Sequence, residues 1–308
     1  MKTNSVPQIS REELVSRLAG PNPPLVVDVL TSEDYDAGHL PNARNACVFK
    51  VTFLEDLKQL APDRSKSLVL YGASSRDLAS TTAAEKLVDA GYMQVADYRG
   101  GLEDWRAAGD RIETNVSAVG KTSVLKDGLH PINTDKSRVE WTGRNLLSTH
   151  IGTIKLRAGH LEVRDGRPVR GAFTLDMNSI ENSDVQDPKM REMLIWHLKS
   201  DDFFDVQRFP FAEFQIRNVA ALSDARPGSP NCEMTGSLTL KGVTAEIVFR
   251  AVLAPTPDAL LAADAHFDID RTRWNVLYGS GKFYEKLGKH LVNDDISLAL
   301  KLITSRPT

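Results

Sequence analysis

Residues 154–166 decide the fold of the larger part of this chain, and they read Ile-Lys-Leu-Arg-Ala-Gly-His-Leu-Glu-Val-Arg-Asp-Gly. Apolar and charged side chains alternate along Ile154-Lys155-Leu156-Arg157 and again along Leu161-Glu162-Val163-Arg164. This period of two is typical of a β-strand with one buried face. The dipeptide Asp165-Gly166 stands between two such runs, which is a strong signal for a tight β-hairpin. The stretch therefore predicts two antiparallel strands.

The same alternation continues through the rest of this half of the chain. Its apolar positions are Phe173, Leu175, Met177, Ala212, Phe214, Ile216, Ala265, Phe267, Ile269, Ile296, Leu298, Leu300 and Leu302. Many strands of this character, joined by Gly and Asp turns, predict an all-β antiparallel barrel or sandwich. The exception is 188–200, where the spacing of Met, Leu and Trp predicts a short helix.

The first hundred residues follow a different pattern. Ser10 and Glu13 have the spacing of a capping box and predict a helix that ends at Gly20. The run 25–30 is rich in β-branched residues and the run 68–71 is similar in character, as in strands covered on both faces. Strands that alternate with helices predict an α/β fold with a parallel sheet. We predict an α/β domain at 1–110, a linker at 111–132 and an all-β domain at 133–308.

The composition agrees with two folded domains and excludes a disordered chain. The chain has 308 residues, 41% hydrophobic and 26% charged, which excludes wholesale disorder. Its net charge of -3 does not favour nucleic acid as a partner. We expect no signal peptide and no membrane-spanning helix, and a cytoplasmic protein is the simplest expectation. The two cysteines, Cys47 and Cys232, match neither a disulfide scaffold nor a metal site.

Three motifs of the first domain occur in the order found in rhodanese-like proteins, over about 8–109. They are Asp28-Val29-Leu30 with Tyr35-Asp36-Ala37-Gly38-His39-Leu40-Pro41-Asn42-Ala43, the loop Tyr71-Gly72-Ala73-Ser74-Ser75-Arg76, and Gly100-Gly101-Leu102-Glu103-Asp104-Trp105. The domain resembles that family, and the resemblance implies a loop whose cysteine thiolate takes up sulfur as a persulfide.

The loop of this chain contains no cysteine. Gly72 stands at the family's cysteine position, or Tyr71 does if the loop is aligned backward from Arg76. A hydroxyl group cannot hold a persulfide, so we predict an inactive domain with a regulatory or docking role. An anion pocket formed by the amides of 72–75, the next helix and Arg76 could remain. The enzyme alternative is a sulfurtransferase that uses Cys47, although its apolar surroundings are typical of a buried thiol.

The second domain resembles the YceI-like family of polyisoprenoid-binding proteins, over about 133–304. The resemblance rests on Lys136-Ser137-Arg138-Val139-Glu140-Trp141-Thr142-Gly143, His150-Ile151-Gly152-Thr153, Gly171 to Ile180, His197 to Val206, Phe209-Pro210, Phe214, Gly236 to Thr244, Asp270 to Val276 and Tyr278-Gly279-Ser280. It implies a lipocalin-like antiparallel barrel around an apolar tunnel. A barrel of about eight strands has room for one slender ligand, and a buried chain contributes about 0.8 kcal/mol per methylene.

Ten side chains are the candidate lining of this tunnel. They are Phe173, Leu175, Trp196, Phe203, Phe204, Phe214, Ile216, Phe267, Ile269 and Trp274. For any one of them the alternative is plain core packing. Arg271 and Arg273 could contact a headgroup, but solvated or ion-paired arginines are favoured. The spacing of His150, His160 and His197 matches no metal site.

The sequence therefore predicts a protein that binds, carries or senses a polyisoprenoid, a prenylated quinone or a similar amphiphile. We expect no cofactor besides that lipid and no metal. Transient membrane contact and a homodimer are further expectations. The alternative to a binding protein is an interaction scaffold whose barrel is filled by its own side chains.

Overall fold

The computed structural model describes residues 6–115, 125–256, 258 and 260–306. Contacts divide the chain into two units, Met1–Gly120 and Lys121–Thr308. Each unit has hydrophobic cores of its own.

The first unit alternates helices and short strands. Its elements are α1 (Arg11–Leu18), β1 (Leu25–Asp28), α2 (Ser32–Ala37), β2 (Arg44–Asn45), α3 (Phe53–Leu60), β3 (Leu68–Tyr71), α4 (Ala79–Asp89), β4 (Val95–Tyr98) and α5 (Gly101–Ala107). All strand pairs are parallel, in the order β2-β1-β3-β4. The predicted α/β class with a parallel sheet is confirmed.

Both faces of this sheet are covered, which explains why its strands are mostly apolar. Val27 and Leu70 belong to one buried cluster, with residues of α3 and α4. Val26 and Val69 belong to another, with residues of α1 and α5. Successive strand residues point to opposite faces, so every position of β1 and β3 is enclosed.

The second unit is built from long strands. Its elements are β5 (Gly128–Pro131), β6 (Arg138–Arg144), β7 (Thr149–Arg164), β8 (Arg167–Asn182), α6 (Pro188–Lys199), β9 (Phe211–Ala221), β10 (Cys232–Leu240), β11 (Val243–Pro255), β12 (Leu261–Asp270) and β13 (Asp295–Ile303). A 3-10 helix, Arg271–Trp274, follows β12, and another covers Gly288–His290.

The strands β6 to β13 form a closed antiparallel barrel. Neighbours follow the order β7-β6-β13-β12-β11-β10-β9-β8, and β8 pairs again with β7. The short β5 adds to the far end of β7. Asp165 and Gly166 both have positive φ, 52° and 69°, as a two-residue hairpin turn requires. The predicted lipocalin-like barrel is confirmed.

The helix α6 is the one long helical segment that the structure describes in this unit. Asp187 caps it by accepting a hydrogen bond from the Met190 amide, and Pro188 stands in its first turn. It lies against β8. Among the described residues, no helix is long and apolar enough to cross a bilayer.

The segment predicted as a linker is partly structured. The Glu113 and Asn115 amides donate to His39 and Asp36 of the first unit. Residues 128–131 form β5, because their backbone groups complete hydrogen bonds with the exposed edge of β7. The middle of the predicted linker, 116–124, lies outside the described residues.

Candidate functional site

The barrel encloses an apolar inner cavity of about 100 Å³. Its wall is formed by inward-facing residues of alternating strand positions, and no polar surface is exposed to it within the described part of the barrel. Among its aromatic residues, Phe249 and Phe267 stack with ring centres 4.1 Å apart, and Phe173 and Phe214 lie 6.3 Å apart. Only an apolar chain fits such a wall without leaving polar groups unpaired.

A larger outer cavity of about 360 Å³ adjoins the inner one. The two share the side chains of Ile154, Leu175, Leu238 and Leu298, so these four form a waist between them. Together the cavities provide about 460 Å³, which lies within the usual size of small-molecule sites.

The outer cavity differs from the inner one in the charge of its wall. Its lining residues include Arg144, Lys289, His150, His197 and His290, whereas no Asp or Glu lines it in the described part of the chain. The outer end therefore offers hydrogen-bond donors and positive charge to a ligand.

Trp141 offers a further donor. The side chain lines the outer cavity and is buried, and its indole N–H has no hydrogen-bond partner among the described residues. A buried donor without a partner in the protein is available to an oxygen atom of a ligand.

Arg271 also lines this cavity, but its guanidinium serves the protein itself. It is 1% exposed and donates hydrogen bonds to the backbone carbonyls of Asn293 (3.0 Å), Val276 (2.6 Å) and Val292 (3.1 Å). Burial lowers the pKa of Arg271, and Asp294 opposes this change. Arg271 is therefore not solvated: it pairs with Asp294 at 3.8 Å, as the ion-paired alternative expects, and it also ties the loop after β12 to the barrel. Arg273 is exposed and donates to the Glu246 carbonyl.

Eight of the ten predicted lining residues do border the cavities. Phe173, Phe214, Ile216 and Phe267 line the inner part, Phe203, Phe204 and Ile269 line the outer part, and Leu175 lines both. Their direct contact with a ligand remains a prediction.

The two predicted tryptophans, Trp196 and Trp274, line neither cavity. Trp196 is 70% exposed, because it lies on the face of α6 that points away from Leu194 and Leu198, which do line the outer cavity. Trp274 is fully buried, yet it is not a wall residue: Asp270 ends β12 and starts a 3-10 turn, and the indole donates to the Leu238 carbonyl. Sequence reasoning missed Trp141 and the cationic outer end, although Trp141 alternates with Val139 on an apolar strand face.

The histidines considered as metal ligands contact different partners. His150 pairs with Asp184 at 3.0 Å, and His197 pairs with Asp202 at 3.2 Å while its ring contacts Tyr278. Over the described ranges, no group of three His, Cys, Asp or Glu residues has a metal-binding arrangement.

The loop 71–76 of the first unit is filled by carboxylates of the chain itself. The Asp77 carboxylate accepts hydrogen bonds from the Ala73 and Ala79 amides, both at 3.0 Å. Arg76, 84% exposed, pairs with Glu103 at 3.3 Å. This differs from the predicted open anion pocket, because an incoming anion would have to displace Asp77 and Glu103.

Cys47 and His39 are both buried. Cys47 follows β2 in a segment whose neighbours Ala46 and Val48 belong to the core beneath α3 and α4. The His39 ring stacks on Tyr35 with centres 3.8 Å apart, and its Nδ1 lies 2.7 Å from the Tyr35 carbonyl. These positions are those of structural residues.

Asp28 is a buried carboxyl group at the end of β1. Burial raises its pKa to about 6, and hydrogen bonds from Tyr71 and the Leu30 amide oppose the increase. Because an aspartate in the unfolded chain titrates near pH 4, the folded state holds a proton there that the unfolded state has released. Stability therefore falls as the pH rises from about 4 to about 6, by up to about 3 kcal/mol.

Replacing Asp28 with Asn is expected to remove this pH dependence. Above pH 6 the variant should be the more stable protein, because it never buries a charge, and near pH 4 the two should be equal. Hydrogen exchange of peptides from β1 and β3, followed between pH 4 and pH 7, measures the difference. Parallel pH profiles for both proteins would contradict the assignment.

Comparisons with known proteins agree with the two units. A family model for the YceI-like domain matches 131–303, and one for the rhodanese-like domain matches 10–108. A UPF0312 protein of Pseudomonas putida is 27% identical over 129 residues, which are 41% of this chain and 58% of that protein. The match thus spans little more than half of this relative.

Two solved structures are similar to the second unit. BcnA of Burkholderia cenocepacia has 21% sequence identity and a TM-score of 0.45, covering 56% of this chain and 99% of its own. A polyisoprenoid binding domain from Saccharophagus degradans has 11% identity and a TM-score of 0.42, covering 59% of this chain and 100% of its own.

Proposed function

The chain belongs to the family of YceI-like domains and carries a rhodanese-like domain before it, and from this premise we propose that its barrel binds, carries or senses a polyisoprenoid or a similar single-chain amphiphile. One observation carries the proposal: the enclosed cavity changes from a wholly apolar inner end to a cationic outer end. An amphiphile has the same polarity along its length. We place its tail at the inner end and its head at the outer end.

The size of the cavity limits the tail. A methylene group is about as large as a water molecule, which occupies about 30 Å³ in the liquid. The two cavities, about 460 Å³ together, therefore accommodate about fifteen carbons. Three isoprene units fill this volume, so the head lies at the opening of the outer cavity. A longer tail would extend beyond the described cavity.

The charge of the outer wall favours an anionic head, or one rich in hydrogen-bond acceptors. Arg144 and Lys289 supply positive charge there, and the Trp141 indole supplies a donor. A phosphate or carboxylate can pair with these groups, since no acidic side chain of the described lining competes with it.

Farnesyl phosphate and farnesol share one tail and differ in the charge of the head, so they test this assignment. We expect farnesyl phosphate to bind up to about 30-fold more tightly at low ionic strength, because one or two partly exposed ion pairs contribute up to about 1 kcal/mol each. Isothermal titration at low and high salt measures the preference, which salt should reduce.

The variant Lys289→Gln should lose part of this preference, whereas Lys286→Gln, outside the cavity wall, should keep it. Equal affinities of the wild-type protein for the two ligands would contradict the assignment of the head. Failure to bind either ligand would contradict the proposed function itself.

For the first unit we propose a regulatory or docking role. Its loop carries no thiol, and Cys47 is buried. We expect no transfer of sulfur from thiosulfate to cyanide, because a persulfide needs an accessible thiolate. Turnover that disappears in Cys47→Ala would instead support the sulfurtransferase alternative.

A further inference from the structure

Three segments surround the outer cavity, and we call them the mouth rim: 144–148, 188–199 and 279–291. Each contributes wall residues, namely Asn145 and Ser148 from the first, Leu194 and His197 from α6, and Lys289 and His290 from the third. The Asn293 amide donates to the Arg144 carbonyl, and His197 contacts Tyr278, so the segments meet at one end of the barrel.

The mouth rim exposes an unusual number of large apolar side chains. Leu146 and Leu147 are 89% and 80% exposed. The others are Met190, Met193, Trp196, Phe283, Tyr284 and Leu291. Large exposed apolar side chains that are grouped around one opening mark an interaction site.

A hydrogen-bonded turn and the geometry of α6 keep these side chains exposed. The Asn145 carboxamide oxygen accepts hydrogen bonds from the Leu147 and Ser148 amides, which fixes the turn that carries both leucines. In α6, Met193 and Trp196 are three residues apart and share an exposed face, while Leu194 and Leu198 face the cavity and Met190 is exposed in the first turn. The helix α6 therefore lies between the outer cavity and the surface that its exposed apolar side chains form.

The charge of the mouth rim has the opposite sign to that of the chain. Its 30 residues include seven Lys or Arg and two Glu, a net charge of +5, whereas the whole chain has a net charge of -3. Basic residues that surround exposed Trp, Tyr, Phe and Leu match the chemistry of an anionic bilayer surface, where the rings enter the interface and the cations contact the headgroups.

We propose that the mouth rim docks on anionic lipid bilayers, so that a ligand passes between the membrane and the outer cavity without crossing water. The proposal rests on the proposed lipid-binding function. The occupant is a bilayer rather than a protein because aromatic, aliphatic and basic side chains are distributed over three separate segments around the opening through which a lipid would pass.

Flotation of the full-length protein with vesicles tests the proposal. We expect binding to vesicles of phosphatidylcholine with phosphatidylglycerol, weaker binding to phosphatidylcholine alone, and loss of the difference at high salt. Trp196→Ser and Leu147→Ser should each lower the partition coefficient by about 10-fold or more. Val248→Ser removes an exposed apolar side chain of β11, outside the mouth rim, and should leave it unchanged.

Binding of farnesyl phosphate in free solution separates this proposal from the function on which it rests. We expect Trp196→Ser to keep that affinity, because Trp196 does not line the cavity, and to lose transfer of the ligand from vesicles. A wild-type protein that binds farnesyl phosphate but not anionic vesicles would overturn membrane docking alone. So would a dimer in ultracentrifugation that Trp196→Ser dissociates, since a second copy would then cover the mouth rim.

Discussion

Replacing Leu175 with Trp is expected to weaken binding of a fifteen-carbon prenyl amphiphile by about 50-fold. Leu175 is one of the four residues at the waist, so an indole there separates the inner cavity from the outer one. The inner part holds about three carbons at about 30 Å³ each, and their burial contributes about 2.4 kcal/mol. The cavity has room for the larger ring, so the fold should be retained.

Thr174→Trp is the matched control, because Thr174 precedes Leu175 on β8 and alternation turns it to the outer surface. Titration with farnesol and thermal unfolding of both variants separate a loss of binding from a loss of stability. Unchanged affinity in Leu175→Trp would show that the tail does not pass the waist.

Replacing Arg271 with Met is expected to lower the free energy of unfolding of the barrel by about 3–5 kcal/mol. The guanidinium donates to three backbone carbonyls of the segment 276–293, and Met would leave them buried without donors. Because this segment includes Lys289 and His290, ligand binding should also weaken.

Arg273→Met provides the comparison for Arg271. Arg273 is two residues away and exposed, and its loss should cost no more than about 1 kcal/mol. Urea unfolding of both variants, followed by the fluorescence of the barrel tryptophans, measures the difference. Similar losses in the two variants would show that the buried hydrogen bonds of Arg271 do not hold the outer end together.

The fold could be predicted from the sequence because each unit has a strong local period. Asp165-Gly166 allowed the central hairpin to be recognised, and the β-branched-rich run 25–30 indicated a strand enclosed on both faces. The strand β5 could not be predicted, since four residues without alternation form a strand only because an edge of β7 is available.

Most of the correctly predicted wall residues lie on strands, and Phe203 and Phe204, in the turn after α6, are the exceptions. Alternation correctly places Phe173, Leu175 and Phe267 toward the interior. It fails for Trp196, because α6 has apolar residues on both faces and the sequence does not show which one covers the barrel. The cationic outer end joins Arg144 to Lys289, two residues that are distant in the sequence and that only the closed barrel brings together.

We propose that the barrel holds one amphiphile, and mass spectrometry of the purified protein is the most direct test of this. Native spectra give the number of bound molecules, and spectra of an organic extract identify them. We expect about one molecule per chain, with an apolar tail of about fifteen carbons and a polar or anionic head. A protein that is purified empty and also fails to take up added farnesol and farnesyl phosphate would contradict it.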